Sequence, residues 1–203
     1  MGVKAYVVMP DNSPAVKVNA VKGYGAKIIF CSPDISTRET TLTQVIQDTG
    51  AAFIHPFDNY QVIAGQATAA KELLEEIPEL DILITPIGGG GLMSGTCLAA
   101  HYLAPTVKVY GAEPAAVDDA FRSLKEGSLQ KNQTTLSIAD GLLTNLGDKT
   151  FKIIREHVKS IFTVSENEIK EAMHFVWERM KIVIEPSSAV AIAAIIKQKE
   201  ALI

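Results

Sequence analysis

Four consecutive glycines, Gly88 to Gly91, follow an apolar run and lead into a second apolar segment. Glycine loses more backbone freedom on folding than any other residue, so a run of four is costly. A turn from a strand into a helix places backbone N–H groups at the helix N-terminus, where the helix dipole also favours an anion. One glycine would be enough for a tight turn, so the run favours a phosphate-binding loop over a purely structural one. We therefore expect Gly90→Val to abolish ligand retention with little loss of fold, because its Cβ would occupy the space of phosphate oxygens.

The residues around the glycines separate the possible phosphate ligands. A P-loop requires a lysine directly after the loop, and Leu92-Met93-Ser94 supplies none. A dinucleotide fingerprint requires the spacing G-x-G-x-x-G, which is absent, although Glu113 lies about 20 residues further on, where a ribose-binding acid would stand. The loop suits a single phosphate monoester, such as that of pyridoxal phosphate, and nicotinamide-nucleotide binding remains the alternative.

Short apolar runs alternate with helical patterns along the whole chain. Runs rich in β-branched residues predict strands at 5–8, 27–30, 82–85, 107–113 and 160–164, and the clearest helices are predicted at 36–49, 61–76, 92–103 and 165–181. Strands without polar alternation are typical of a sheet covered on both faces. The order predicts an α/β fold with parallel strands, and the turn-prone segment 55–60 is the predicted internal boundary.

The segment from Ser165 shows the helical pattern most clearly. Ser165 and Glu168 have the spacing of a capping box. Apolar residues then recur at three- and four-residue steps: Ile169, Ala172, Met173, Val176, Trp177 and Met180. The stripe is predicted to be core, and Trp177 is given no functional role.

Composition limits the classes of partner. The chain has 203 residues, is 47% hydrophobic and carries a formal net charge of −4, which argues against a nucleic-acid surface. No apolar stretch reaches the roughly 18 residues of a membrane span, and no signal peptide is visible. The two cysteines and four histidines show no metal-ligand spacing. We expect a cytoplasmic protein without nucleic-acid or membrane partners.

Seven segments carry a resemblance that covers nearly the whole chain. In chain order they are VVMPDNSPAVKVNAVKGYGAKI, HPFDNYQVIAGQAT, TPIGGGGLMSG, VYGAEP, IADGL, FTVSENEI and WERMKIVIEPSSA. Together they resemble the fold-type II pyridoxal-phosphate enzymes of the serine racemase and threonine/serine dehydratase family. The resemblance implies a tryptophan synthase β-like α/β fold with helices on both faces of parallel sheets. Residues 1–57 would form part of a small substrate-closing domain, and residues 58–203 most of a large cofactor-binding domain.

The same resemblance implies roles for individual residues. The main-chain N–H groups of Gly88, Gly89, Gly90 and Gly91 would bind the phosphate of pyridoxal 5'-phosphate, with Leu92 and Met93 opening the helix. Gly141 and Glu185 would lie beside the cofactor, and Arg38 and Thr144 near the substrate, L-serine or L-threonine. For Arg38 a solvated surface position is the alternative, and for Glu185 an acid that precedes a helix-starting proline.

A divalent-cation site is also implied by the resemblance. Its ligands would be Glu113, the backbone carbonyl of Val117, and Asp119, with Mg²⁺, Mn²⁺ or Ca²⁺ as the ion. Hard cations prefer such oxygen ligands. The alternative is that Asp118 and Asp119 only begin a helix at 116–126, where acids suit the dipole.

Three motifs of the family do not occur in these residues. They are the Ser-Phe-Lys motif of the Schiff-base lysine, the Ser-Gly-Asn-His loop for the substrate carboxylate, and the Ser-Gly-Gly-Asn region near the pyridine nitrogen. The comparison implies an internal piece of a family member with an incomplete fold, in which no residue is assigned as catalytic. We expect the parent protein to be a homodimeric amino-acid lyase or racemase and the 203-residue chain alone to be nearly inactive. The alternative is a catalytically dead protein that binds a phosphate ligand or a nucleotide.

Overall fold

The computed structural model describes residues 2 to 202, apart from the side chains of Ile35 and Ala201. The chain divides into two compact units, Met1–Ile54 and His55–Ile203. Residues 1 and 203, the outer ends of the two predicted domains, lie outside the described residues. Within the described part, no helix is both long and apolar enough to cross a membrane.

The first unit is a small α/β layer. Its elements are β1 (Tyr6–Pro10), α1 (Ala15–Gly23), β2 (Lys27–Cys31) and α2 (Ile35–Thr49). The two strands pair in parallel, with Val8 opposite Ile29. Helix α2 begins after Asp34, whose Oδ1 accepts the N–H of Thr37 at 2.7 Å and so satisfies one free amide of the first turn. This bond is the main reason that the pKa of Asp34 lies well below its ordinary value.

The second unit is built around a three-stranded parallel sheet. In chain order it contains α3 (Tyr60–Glu76), β3 (Ile82–Pro86), α4 (Gly91–Leu103), β4 (Lys108–Pro114), α5 (Asp119–Glu126), a short 3-10 helix (Asp140–Leu142), α6 (Asp148–His157), β5 (Ser160–Val164), α7 (Glu166–Met180) and α8 (Pro186–Leu202). The sheet order is β3-β4-β5, and both strand pairs are parallel. All five predicted strands are therefore confirmed.

Helices cover both faces of this sheet. Leu83 and Ile161 belong to the apolar cluster that includes residues of α3, α4 and α6, whereas the next residue of each strand, Ile84 or Phe162, packs with α7 and α8. Successive side chains of a strand point to opposite faces, so the two clusters lie on opposite sides of the sheet. The predicted α/β fold with parallel strands and helices on both faces is confirmed.

Helix α7 confirms its predicted start but not all of its predicted core. Glu168 Oε2 accepts the N–H of Ser165 at 2.7 Å, and Ser165 Oγ accepts the N–H of Glu168 at 3.3 Å, which forms the predicted capping box. Ile169, Ala172 and Val176 are buried, but Trp177 is 61% exposed and Met180 60% exposed. The core prediction is wrong for these two residues. Each residue turns a helix by about 100°, so Trp177 lies beside the narrow stripe that Val176 completes.

Candidate phosphate-binding site

The glycine loop joins β3 to α4 and contains a row of backbone N–H donors without an acceptor in the described residues. The N–H of Ile87 still donates to the carbonyl of Ala112 at 2.9 Å, and Ser94 makes the first helical bond, to the carbonyl of Gly90 at 2.8 Å. Between them, none of the N–H groups of residues 88 to 93 donates to an acceptor within residues 2 to 202. Most of these residues are buried, and a buried amide without an acceptor is costly. The row fits an anion such as phosphate, since it lies at a helix N-terminus.

Packing also requires glycine in this loop. A Cβ on Gly89 would overlap the ring of Phe57, and a Cβ on Gly90 would lie 2.7 Å from a methyl group of Leu146 and 2.9 Å from Ile154 and Thr150. Gly90 also has a φ of 87°, in the left-handed region that favours glycine. The premise that one glycine would serve the structure is therefore wrong. The expectation that Gly90→Val leaves the fold nearly intact is wrong too, because its Cβ points into packed side chains.

Several predicted site residues meet at Gly88. The position of a Cβ on Gly88 lies 3.1 Å from the carbonyl oxygen of Gly141 and 3.4 Å from Oγ1 of Thr144. The N–H of Gly141 donates to Oγ of Ser187 at 3.1 Å, and a Cβ on Gly141 would lie 3.8 Å from Oε1 of Glu185. The fold thus brings Gly141 and Thr144 beside the glycine loop, and Glu185 near Gly141. Their roles toward a cofactor or a substrate stay predictions.

Arg38 is the predicted substrate-binding residue of the first unit. It is an exposed residue in the first turn of α2, within the unit Met1–Ile54. Its backbone N–H donates to the carbonyl of Asp34 at 3.2 Å. A role in substrate binding stays a prediction for Arg38.

The predicted cation ligands form a buried acidic pair, Glu113 and Asp119. Glu113 is fully buried near the end of β4, and its two oxygens accept the N–H groups of Ala120 at 3.1 Å and Phe121 at 2.8 Å. Asp119 is 1% exposed and begins α5. Its oxygens accept from Asn132 Nδ2 and from the N–H of Leu146, each at 2.8 Å. The two carboxylates thus hold together the start of α5 and two later loops.

Burial dominates the electrostatics of the pair. Burial raises the pKa of Glu113 well above its ordinary value, and the negative charge of Asp119 raises it further. Burial also raises the pKa of Asp119 to about 6, although the hydrogen bonds from Leu146 and Asn132 lower it. Within residues 2 to 202, no group of three or more His, Cys, Asp and Glu side chains could hold a metal ion. The cation therefore stays a prediction, which rests on the two carboxylates and the carbonyl of the buried Val117.

The alternative role of Glu113 in nucleotide binding is not supported. A ribose-binding acid must present its carboxylate to a ligand, whereas the Glu113 side chain is fully buried and bonded to the first turn of α5.

Sequence reasoning missed the residues that support the glycine loop and the Gly141 backbone beside it. They are Phe57 and Asp58 before α3, Thr150 on α6 and Ser187 on α8. Each acts through a contact more than 30 residues away in sequence, so no local pattern marks it. The segment HPFDNY contains two of the four, and its turn-like composition was the only available signal.

Comparison with known proteins places the chain in a family. The pyridoxal-phosphate dependent enzyme family matches residues 1–202. The chain therefore belongs to the family of pyridoxal-phosphate dependent enzymes, as the seven segments had implied. Membership supports pyridoxal phosphate as the anion that the glycine loop fits.

Individual relatives have several activities. The chain is 53% identical over 199 residues to a serine racemase of Dictyostelium discoideum, with 97% of this chain and 61% of the relative covered. It is 46% identical over 200 residues to a beta-hydroxyaspartate dehydratase of Paracoccus denitrificans, with 98% and 64% covered. The crystal structure of a threonine deaminase of T.th. superposes with a TM-score of 0.93 at 41% identity, covering 98% of this chain and 66% of that one. The chain thus spans less than two thirds of the length of these relatives.

Proposed function

We propose that the protein is a pyridoxal-phosphate dependent amino-acid lyase or racemase whose glycine loop, residues 88 to 91, binds the cofactor phosphate. The observation that carries the proposal is the row of backbone N–H groups from residue 88 to residue 93 that have no acceptor within residues 2 to 202. When bound, the cofactor acts as an electron sink for a substrate that has lost its α-proton. The alternatives are a catalytically dead relative and a nucleotide-binding protein, and the binding test below separates the proposal from the nucleotide-binding protein.

The chain's own residues bind and orient in this proposal. Leu92 and Met93 open α4 and present the amides next to the glycines. The backbone of Gly141, which lies beside Gly88, and the exposed carboxylate of Glu185, which lies near Gly141, would border the cofactor. Thr144, also at Gly88, contributes a hydroxyl near the substrate. Arg38 offers a guanidinium that can bind the substrate carboxylate with two parallel hydrogen bonds.

The proposed substrates are amino acids with a hydroxyl group on the β-carbon, L-serine or L-threonine. The names of the relatives support this class, since serine, threonine and β-hydroxyaspartate all carry that hydroxyl. After α-proton removal, loss of water gives the dehydratase reaction and return of a proton gives racemisation. The proposed protein is a cytoplasmic homodimer without nucleic-acid partners, in line with its net charge of −4. Residues 1–57 and 58–203 would be parts of its substrate-closing and cofactor-binding domains.

A divalent cation at the acidic pair belongs to the same proposal. Glu113, the Val117 carbonyl and Asp119 would bind Mg²⁺, Mn²⁺ or Ca²⁺ together with water. Burial raises the pKa of both carboxylates and the charge of Asp119 raises that of Glu113 further, which supports the proposal because a cation between them would offset the repulsion.

The test compares two ligands that differ only in the phosphate. The 203-residue chain is titrated with pyridoxal phosphate and with pyridoxal, and binding is followed by absorbance and by competition with inorganic phosphate. We expect pyridoxal phosphate to bind, phosphate to displace it, and pyridoxal to bind at least about tenfold more weakly. Equal binding of the two ligands, or binding of NAD⁺ in their place, would contradict the proposal.

A second measurement addresses the chemistry of the isolated chain. Because no Ser-Phe-Lys motif occurs in the 203 residues, borohydride reduction and mass spectrometry should find no lysine labelled stoichiometrically by the cofactor. Turnover of serine and threonine should be negligible in the same sample. A single fully labelled lysine, for example Lys22, would contradict the alignment with the family.

A further inference from the structure

We infer that Thr150 is a positioning residue that holds the glycine loop in its anion-binding conformation. The inference rests on the proposed phosphate binding and adds a residue on another helix that prepares the loop before any ligand arrives. Thr150 is a fully buried residue in the first turn of α6.

The hydroxyl of Thr150 links two peptide groups. It accepts the N–H of Gly147 at 2.9 Å and donates to the carbonyl of Gly89 at 2.9 Å, with the carbonyl of Gly147 as a longer alternative acceptor at 3.2 Å. The carbonyl of Gly89 and the N–H of Gly90 belong to the same planar, trans peptide group, in which they point in opposite directions. A bond that draws the Gly89 carbonyl toward α6 therefore turns the Gly90 N–H away from α6, where it has no acceptor within residues 2 to 202.

Thr150 is itself held in place by the segment before α3. Asp58 Oδ1 accepts the N–H groups of Lys149 at 2.8 Å and Thr150 at 3.1 Å, which satisfies free amides at the start of α6. Asp58 Oδ2 also lies 3.8 Å from the ammonium group of Lys149. The neighbouring residue Phe57 packs its ring directly against Gly89. Gly89 is thus fixed on its Cα side by Phe57 and at its carbonyl by Thr150.

This arrangement matters because glycines are conformationally free. Without an external restraint, a loop of four glycines samples many backbone conformations, and most of them would not aim its N–H groups at one point. Binding would then include the entropic cost of ordering the loop. Because the Thr150 bond forms on folding, the loop is already ordered when phosphate binds, and less of this entropic cost falls on binding.

The test separates the hydrogen bond from the shape of the side chain. Thr150→Val keeps the shape and removes both bonds, and Thr150→Ser keeps the hydroxyl. Ser123→Ala is the matched control, since Ser123 is fully buried and its Oγ accepts the N–H of Gln130, a residue outside the glycine loop and α6, at 2.8 Å. Dissociation constants for inorganic phosphate and pyridoxal phosphate are measured together with unfolding in urea.

We expect Thr150→Val to weaken binding of both ligands about tenfold, and Thr150→Ser and Ser123→Ala to bind within about threefold of wild type. Binding by Thr150→Val as tight as by wild type would overturn the inference while leaving the proposed function intact. A wild-type chain that binds neither ligand would instead contradict the proposed function.

Amide exchange in the wild-type chain tests the inference even if Thr150→Val fails to fold. Before phosphate is added, the N–H of Gly147 should be protected from solvent exchange and that of Gly90 should not. Added phosphate should then protect Gly90. Equal exchange of the two amides without phosphate would overturn the inference.

Discussion

Helices α4 and α5 belong to the same unit but differ in whether the chain supplies acceptors for the N–H groups at their N-termini. At α4, the N–H groups of residues 88 to 93 have no acceptor within residues 2 to 202. At α5, Glu113 from the preceding strand accepts the N–H groups of Ala120 and Phe121. Both helices follow a strand of the same parallel sheet. The difference teaches that a helix N-terminus is available to an outside anion only where the chain supplies no acceptor of its own.

The two sites also differ in what a ligand would change. At α4 an anion would satisfy donors that are otherwise unpaired, and its removal leaves a cost in the folded state. At α5 every carboxylate oxygen of the acidic pair already accepts a hydrogen bond, and the remaining cost is charge repulsion and burial. A cation there would offset repulsion rather than fill an empty set of hydrogen bonds.

The largest expected effect comes from a substitution in the glycine loop, at the start of α4. Gly90 and Gly127 both have left-handed φ values, 87° and 69°, but a Cβ on Gly127 would meet no atom within 4 Å. Gly127→Ala should therefore cost only the backbone strain, about 1 to 2 kcal/mol. Gly90→Ala should cost about 3 to 4 kcal/mol, because its Cβ also collides with Leu146 and Thr150. Urea unfolding measures both, and equal losses would mean that the packing around Gly90 is not tight.

An intermediate effect is expected when a cation is added at α5. Millimolar Mg²⁺ should raise the melting temperature of the wild-type chain, with a stabilisation of about 1.4 kcal/mol at ten times the dissociation constant. Asp119→Asn should lose this shift, because it removes a proposed ligand. The neighbouring Asp118→Asn is the control, since Asp118 pairs with Arg122 at 2.7 Å instead. A shift of equal size in wild type and Asp119→Asn would place the ion elsewhere.

Sequence reasoning predicted the strands, the glycine loop and its family, because these depend on local patterns. It did not mark α6 among its clear helices, and the structure shows why. The residue before α6 is Gly147, which has no side chain to cap the helix, and the cap comes from Asp58, 91 residues away from Lys149. A helix start that is supplied by a distant side chain leaves no trace in a local window.

The same limit explains why only part of the candidate site could be predicted from the sequence. The amides of the loop were predictable from the run of glycines, whereas the contact of Gly88 with Gly141 and Thr144 depends on how loops from different elements meet. For Trp177 a local pattern was present but misleading. Its spacing matched an apolar helical stripe, but the period of a stripe does not show how wide its buried part is, and Trp177 is 61% exposed.

The smallest expected effect concerns Glu168, a half-buried counterpart of Glu113 at the start of α7. Its Oε2 accepts the N–H of Ser165 at 2.7 Å and lies 3.1 Å from Lys197 Nζ. Partial burial would raise the pKa of Glu168, but the bonds from Ser165 and Lys197 outweigh it and lower the pKa below its usual 4.5. A lowered pKa means that the stabilisation is present above the unfolded-state value and is lost as the pH falls through the folded-state value.

Glu168→Gln should therefore destabilise the chain by less than about 1 kcal/mol at neutral pH, since the side chain is near the surface. The difference from wild type should begin to shrink as the pH falls below the unfolded-state pKa of about 4.5, and it should be lost once the pH passes below the lowered folded-state pKa of Glu168. Urea unfolding at neutral pH and below the folded-state pKa measures the difference, with Glu171→Gln as a control at an exposed acid of the same helix. A loss that stays constant across this range would mean that the carboxylate acts through packing and not through charge, and the parallel with Glu113 would then fail.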